Sequence, residues 1–153
     1  MTHPILIRTM VALRWPVRVA AVLVLSMVMT GCAMSAERAV VVLDGIEVRV
    51  EIAENPGDRS RGLQDHEPLA PGEGMLFVFE DAGVRTFAMK EVSFPIDVVF
   101  IGQDLTVSAI EPLSPGESRL ATSPGPSAYV VELPQGWAAE RGIGVGSGFV
   151  PPE

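Results

Sequence analysis

Four charged side chains have the types and settings from which a site could be built: Arg61, Lys90, Asp97 and Glu132. The two acids stand inside apolar runs, PIDVVF and YVVELP. An acid in such a run either faces solvent in ordinary strand alternation or is buried with a basic partner. A buried acid beside Arg61 or Lys90 in a cleft would be a candidate for a functional site. The simpler interpretation of Asp97 is that it accepts backbone N–H bonds and fixes the turn around Pro95.

Other catalytic and metal-binding sets are scarce. After residue 31 the chain holds one histidine, His66, and one cysteine, Cys32, too few for a nucleophilic triad or an ordinary zinc or iron site. Copper is the weaker alternative, because His66, Met75 and Met89 offer soft ligands, although methionines near phenylalanines more often fill a core. The glycine-rich run 142–148 lacks the lysine of a phosphate-binding loop, so it is interpreted as a helix stop and a turn. We expect no catalytic set and no cofactor.

The N-terminus has the features of a bacterial lipoprotein signal peptide. Arginines precede an apolar run, residues 19–29, that is too short to span a bilayer comfortably. The following Met29-Thr30-Gly31-Cys32 resembles a lipobox with methionine in place of the usual leucine. This resemblance implies that residues 1–31 are removed and that Cys32 is acylated, holding the protein to a bacterial membrane on its extracytoplasmic side. The alternative is an ordinary secretory signal peptide cleaved near Ala33 or Ala36.

Removal of residues 1–31 changes both size and charge. It leaves 122 of the 153 residues, enough for one domain with a real core. Three of the eleven basic residues leave and all nineteen acidic ones stay, so the mature charge is −11. Such an acidic chain argues against binding to nucleic acid or directly to an anionic membrane. We expect a short tether at 32–38 and a single domain at 39–153, attached to the cytoplasmic membrane or the outer membrane only through Cys32.

The pattern of strands and turns predicts a mainly β fold. Asp44-Gly45 between runs 39–43 and 46–53 predicts a tight hairpin. Asn55-Pro56 predicts the start of a short helix. Further strands are predicted at 75–80, 84–89, 96–102, 105–112, 127–133 and 145–150, with a loop at 112–126 and a short helix ending at Gly142. We expect 84–89 to return alongside 75–80 after the turn at 81–83, and 96–102 to pair with 105–112. Seven or eight strands with one or two short helices favour a β-sandwich, jelly-roll-like, or a partly closed barrel.

Five motifs together resemble the family known as domain of unknown function 192 (DUF192). They are Arg61-Gly62-Leu63, GMLFVF at 74–79, FAMK at 87–90, PIDVVF at 95–100 and VELPQG at 131–136. The resemblance covers about residues 46–150. It implies a compact, mainly β fold of jelly-roll character, often behind a signal peptide or lipobox, and it brings no established activity. The chain departs from the family pattern at Gln64, at Ala88 and at Glu91-Val92.

Three functions are compatible with these features. The first is a non-enzymatic, lipid-anchored module that binds a small ligand or an envelope protein with Arg61, Lys90, Asp97 and Glu132. The second is a small enzyme in which Asp97 or Glu132 is the general acid or base, while Lys90 or Arg61 holds an anionic group. The third is a structural accessory subunit of an envelope complex. Either of the first two requires Arg61, Lys90 and Asp97 to converge on one pocket.

Overall fold

A computed structural model describes residues 37–152 of the chain, which form nine strands, one α-helix and one 3₁₀ helix. The first elements are β1 Arg38–Leu43, β2 Ile46–Ala53, α1 Pro56–Arg61, β3 Glu73–Gly83 and β4 Thr86–Ala88. They are followed by β5 Ile96–Gly102, β6 Val107–Leu113, β7 Leu120–Thr122, β8 Ser127–Pro134, the 3₁₀ helix Ala139–Arg141 and β9 Phe149–Val150. The predicted signal peptide and Cys32 lie outside the described residues. No helix within 37–152 has both the length and the apolar character needed to cross a bilayer.

The first three elements follow from their local sequence. The hairpin between β1 and β2 turns at Asp44 and Gly45, both with positive φ (50° and 81°), as an Asp-Gly turn requires. The side chain of Asn55 caps α1 by accepting the N–H of Asp58 at 2.9 Å, and Pro56 occupies the first turn. Helix α1 is therefore the crossover between β2 and β3, which pair in parallel.

Seven strands form one sheet in the order β6-β5-β8-β3-β2-β1-β9. The sheet curls until its two edges meet near one end, where Thr106 and Gly148 form an antiparallel bridge. Backbone N–H groups of Val107 and Phe149 donate to the carbonyls of Ser147 and Leu105, each at 2.8 Å. The predicted mainly β, partly closed architecture is confirmed.

A second sheet of two strands was not anticipated. Segment 84–89 was expected to return alongside the strand before it, but β4 pairs with β7, inside the predicted loop 112–126. The reason is that β3 already has β2 and β8 as neighbours, and its pairing with β8 reaches Gly83. Both edges of β3 are already occupied along residues 75–77, and β4 pairs instead with Leu120–Thr122 and buries Ala121.

Both faces of the large sheet are covered, so β5 and β8 are buried almost throughout. We name the two apolar clusters the first core and the second core. The first core holds mainly Val41, Leu43, Val48, Val50, Leu76, Val99, Ile101, Val131, Leu133, Trp137 and Phe149. The second core holds mainly Leu63, Met75, Phe77, Met89, Phe94, Ile96, Val98, Phe100, Leu113, Ala121 and Val130. Helix α1 and the small sheet border the second core, and the candidate site lies on that side.

Candidate functional site

A pocket of about 460 Å³ opens beside the second core. It is lined by residues 59–64 at the end of α1, by Phe77 and Phe79 of β3, by side chains of segment 84–92, and by Glu132 of β8. We call it the cationic pocket because Arg59, Arg61, Arg85 and Lys90 line it. These are four of the eight basic residues that follow residue 31, in an otherwise acidic chain. Glu132 is the one carboxylate among the lining residues of this pocket.

Glu132 is a buried acid with an oxygen that has no hydrogen-bond partner among the described residues. Its neighbours across β3 and β5 are Met75 and Val98, both in the second core, so its side chain lies on that face of the sheet. The residue is 6% exposed, and Oε2 has no hydrogen-bond partner among the described residues. Burial raises the pKa of Glu132 to about 8, because a low-dielectric setting disfavours the charged form. At neutral pH the folded protein therefore holds this carboxyl largely protonated.

A glycine allows strands β3 and β8 to approach each other at this point. A Cβ on Gly74 would lie 2.5 Å from the carbonyl oxygen of Glu132 and 3.0 Å from Cδ2 of Leu133. Any larger residue would push the strands apart. The glycine of the GMLFVF motif thus contributes to the placement of Glu132.

Two of the four cations are fixed in the pocket wall. Arg59 donates to the carbonyls of Glu54 and Val78, and Arg85 donates to the carbonyl of Ser127 at 3.1 Å. The guanidinium carbons of Arg59 and Arg85 lie 5.1 Å and 3.9 Å from the ring centroid of Phe79, within cation–π range. Hydrogen bonds and stacking therefore hold both side chains in place.

The other two cations are free to meet a ligand. Arg61 and Lys90 are exposed, and neither forms an ion pair with any residue in the range 37–152. An anionic group could therefore bind them without displacing a carboxylate of the described residues. Arg61 and Lys90 are therefore the better candidates for direct contact.

Part of the remaining wall of the pocket is apolar and aromatic. Phe77 and Phe87 pack edge to face with ring centroids 4.8 Å apart, and Leu63 and Val92 also line the pocket. Small-molecule sites commonly combine such walls with a few polar groups. The combination of an aromatic wall, two unpaired cations and a buried acid suits an amphipathic anion.

Asp97 does not belong to this pocket. It alternates with Ile96 and Val98 of the second core, so its side chain lies on the opposite face of the sheet. Its Oδ2 accepts the N–H of Gly136 at 2.8 Å. Burial raises the pKa of Asp97, and this hydrogen bond partly offsets the effect. The expected convergence of Arg61, Lys90 and Asp97 on one pocket is therefore wrong: Arg61 and Lys90 line the cationic pocket with Glu132, whereas Asp97 fixes the turn after β8 to the start of β5.

The histidine lies in a separate, smaller cavity of about 90 Å³ that Met75 also lines. His66 Nε2 is 3.0 Å from Oε2 of Glu51, and Nδ1 is 3.1 Å from the carbonyl oxygen of Gln64. The hydrogen bond to His66 is the main cause that lowers the pKa of Glu51.

The predicted copper alternative needs His66, Met75 and Met89 together, and Met89 is buried in the second core. A copper ion would have to displace a ring contact of His66, and residues 37–152 hold no cluster of three His, Cys, Asp or Glu side chains suited to a metal.

Sequence reasoning missed Arg59, Arg85 and Phe79. The signal for Arg59 was present, because Arg59 and Arg61 flank Ser60 at the end of a predicted helix. Arg85 could not be found, since the pairing of the segment around it was predicted wrongly. Three of the departures from the family pattern, Gln64, Ala88 and Val92, line the pocket.

Comparison with known proteins agrees with the motifs. The family DUF192, described as "Uncharacterized ACR", matches residues 39–149. No curated protein matches the chain.

Two solved structures share the fold. One, described as a "putative transcription regulator" from Sinorhizobium meliloti 1021, is 32% identical over 76% of this chain and 95% of that chain, with a TM-score of 0.71. The other, a protein of unknown function from Novosphingobium aromaticivorans DSM 12444, is 28% identical over 74% of this chain and 85% of that chain, also with a TM-score of 0.71.

Proposed function

We propose that this chain, which belongs to the DUF192 family, is a non-enzymatic binding module for a small amphipathic organic anion. The cationic pocket is the site. Arg61 and Lys90 bind the anionic group, and the aromatic wall around Phe77 and Phe87 packs against the apolar part of the ligand. An acylated Cys32 would hold the module to a bacterial membrane on the extracytoplasmic side, a proposal that rests on the lipobox-like sequence at 29–32.

One observation supports this function above the others. Half of the basic residues after residue 31 line one pocket of a chain whose net charge is negative. Five of these eight basic residues form an ion pair with a carboxylate, whereas Arg61 and Lys90 form none within 37–152. A pocket that concentrates unpaired positive charge beside apolar walls favours anions of matching shape.

The test measures binding of a defined anion, 6-isopropyl-2-naphthoate, to the full chain isolated from a bacterial host, by isothermal titration calorimetry in matched detergent. We expect binding by the wild type and a loss of at least about tenfold in affinity in the double variant Arg61→Met/Lys90→Met, since hydrogen bonds to charged groups contribute about 1.5–3 kcal/mol. Arg119→Met is the matched control, because Arg119 pairs with Glu111 outside the pocket. Equal affinity in all three proteins would exclude the proposed site.

A second candidate function is acid–base catalysis by Glu132. It is favoured by the raised pKa of a buried carboxyl in a pocket that also holds unpaired cations. The reaction would be removal of a proton from carbon next to a carbonyl. The test is exchange of the acetyl protons of 6-acetyl-2-naphthoate for deuterium in D₂O, followed by NMR. Exchange that is lost in Glu132→Gln, with binding retained, would support the enzyme; no exchange above the buffer rate would favour the binding module.

A further inference from the structure

We infer that the cationic pocket selects anions that also carry a neutral hydrogen-bond acceptor, such as a ketone, ester or amide carbonyl. This acceptor receives a hydrogen bond from the O–H of the buried Glu132 carboxyl. This inference rests on the proposed function and adds a second recognition element to it. The first element, the pair Arg61 and Lys90, binds the anionic group. The second, Glu132, binds the acceptor on the apolar part of the ligand.

The unsatisfied oxygen of Glu132 is the geometric basis. Oε2 is buried and has no partner among the described residues, and the flanking residues on β3 and β5 are Met75 and Val98, which offer no hydrogen bond to it. A buried polar atom left without a partner costs about 1–3 kcal/mol. A ligand acceptor that reaches Glu132 removes this cost, whereas an apolar group in the same place leaves it.

The charged groups around Glu132 show that the two recognition elements are separate. Arg59, Arg61, Arg85 and Lys90 all line the pocket, and cations within about 4–6 Å would lower the pKa of a carboxyl. Burial is the one cause of the Glu132 shift, and it raises the pKa. Burial therefore dominates at this carboxyl, and a ligand that uses both recognition elements must carry its anionic group and its acceptor at different positions.

The same charges argue for a neutral acceptor over an amine. An amine would have to pair with an ionised Glu132, and four cations around the pocket would repel it. The pair formed by His66 and Glu51 belongs to the neighbouring cavity, and Asp97 lies on the other face of the sheet. No further carboxylate among residues 37–152 lines the pocket to stabilise a cationic ligand.

The experiment compares two probes of closely similar shape, 6-acetyl-2-naphthoate and 6-isopropyl-2-naphthoate, by calorimetry on the full chain at pH 6.5. One hydrogen bond predicts about tenfold tighter binding of the acetyl probe to the wild type. Glu132→Gln keeps an N–H donor and should keep this preference. Glu132→Met removes the donor at similar size and should bind both probes equally.

A pH series gives the second measurement. Because Glu132 loses its proton near pH 8, the preference of the wild type for the acetyl probe should fall between pH 7 and pH 9, while the preference of Glu132→Gln stays constant. Equal binding of both probes to the wild type at pH 6.5, or a preference unchanged in Glu132→Met, would overturn this inference and leave the proposed function standing. Failure of both probes to bind would overturn both.

Discussion

Glu132 and Asp97 lie on adjacent strands, one residue apart in register, with their side chains on opposite faces of the sheet. Asp97 is level with Leu133, and Glu132 is level with Val98. This offset of one residue decides their roles, since neighbouring residues of a strand point to opposite faces. Asp97 accepts a backbone N–H and is a structural acceptor, while Glu132 lines the cationic pocket and its Oε2 has no partner within residues 37–152.

Glu132 should make stability depend on pH in a defined window. Its pKa is about 8 in the folded protein, against an ordinary value of 4.5, so the folded state binds the extra proton between these values. This contribution to stability is fully present below pH 4.5 and is lost as the pH rises through 8. Glu132→Gln has no such proton to lose. As the pH increases within that window, its free energy of unfolding should therefore rise relative to that of the wild type, by up to about 1.4 kcal/mol per pH unit.

Urea denaturation at pH 5, 6.5 and 8 measures this difference. The control is Glu80→Gln, the same substitution at an exposed glutamate, and its stability should run parallel to that of the wild type. Parallel curves for the wild type and Glu132→Gln would contradict the buried, protonated state of Glu132.

Asp97→Ala should lower stability and leave ligand binding intact. The substitution removes the acceptor for the N–H of Gly136, at a cost of about 1–3 kcal/mol because the N–H loses its partner. Asp97→Asn keeps an oxygen that can accept this bond and should lose less. Chemical denaturation gives the stabilities, and calorimetry with 6-isopropyl-2-naphthoate gives the affinity. An affinity that falls in both variants would place Asp97 in the binding site after all.

Gly74→Ala should destabilise the domain. The added Cβ would lie 2.5 Å from the carbonyl oxygen of Glu132, which forces β3 and β8 apart and costs about 1–3 kcal/mol or more. Gly125→Ala is the matched control, because a Cβ at Gly125 meets no heavy atom within 4 Å. Thermal unfolding of both variants tests this, and a Gly74→Ala variant as stable as Gly125→Ala would show that the strands are not closely apposed there.

Cys32→Ser should release the protein from the membrane. The prediction follows from the lipobox-like residues 29–32, because acyl chains contribute about 0.8 kcal/mol per buried CH₂ and serine cannot carry a thioether-linked lipid. Membrane fractionation of the native host checks it. A variant that still sediments with the membranes would show that attachment does not depend on Cys32.

Local signals made much of the fold predictable. Short stretches predict the hairpin, the helix and two of the strands, and these elements form as predicted. The stretches are Asp44-Gly45, Asn55-Pro56 and the alternating runs of β2 and β8. The small sheet was missed because its pairing joins Thr86 to Thr122, far apart in sequence. Nothing near Phe87 specifies that partner, and the sequence around β3 does not show that β2 and β8 occupy both of its edges along residues 75–77.

The candidate site was also predictable only where a local sequence signal indicated it. Arg61, Lys90 and Glu132 could be selected because charge inside or beside apolar motifs stands out. The face on which Asp97 lies could not be predicted, because both faces of β5 are buried and the strand shows no alternation. Arg85 directly precedes β4, so its place in the pocket could not be predicted without the small sheet.

The meeting of the two sheet edges affects how copies of this protein behave when crowded together. An exposed strand edge presents unpaired N–H and C=O groups on which another chain can assemble. Here Val107 and Phe149 donate their N–H groups to the opposite edge of the same sheet. At that end the domain offers no template for strand addition, so many copies can be concentrated on one surface without joining edge to edge there.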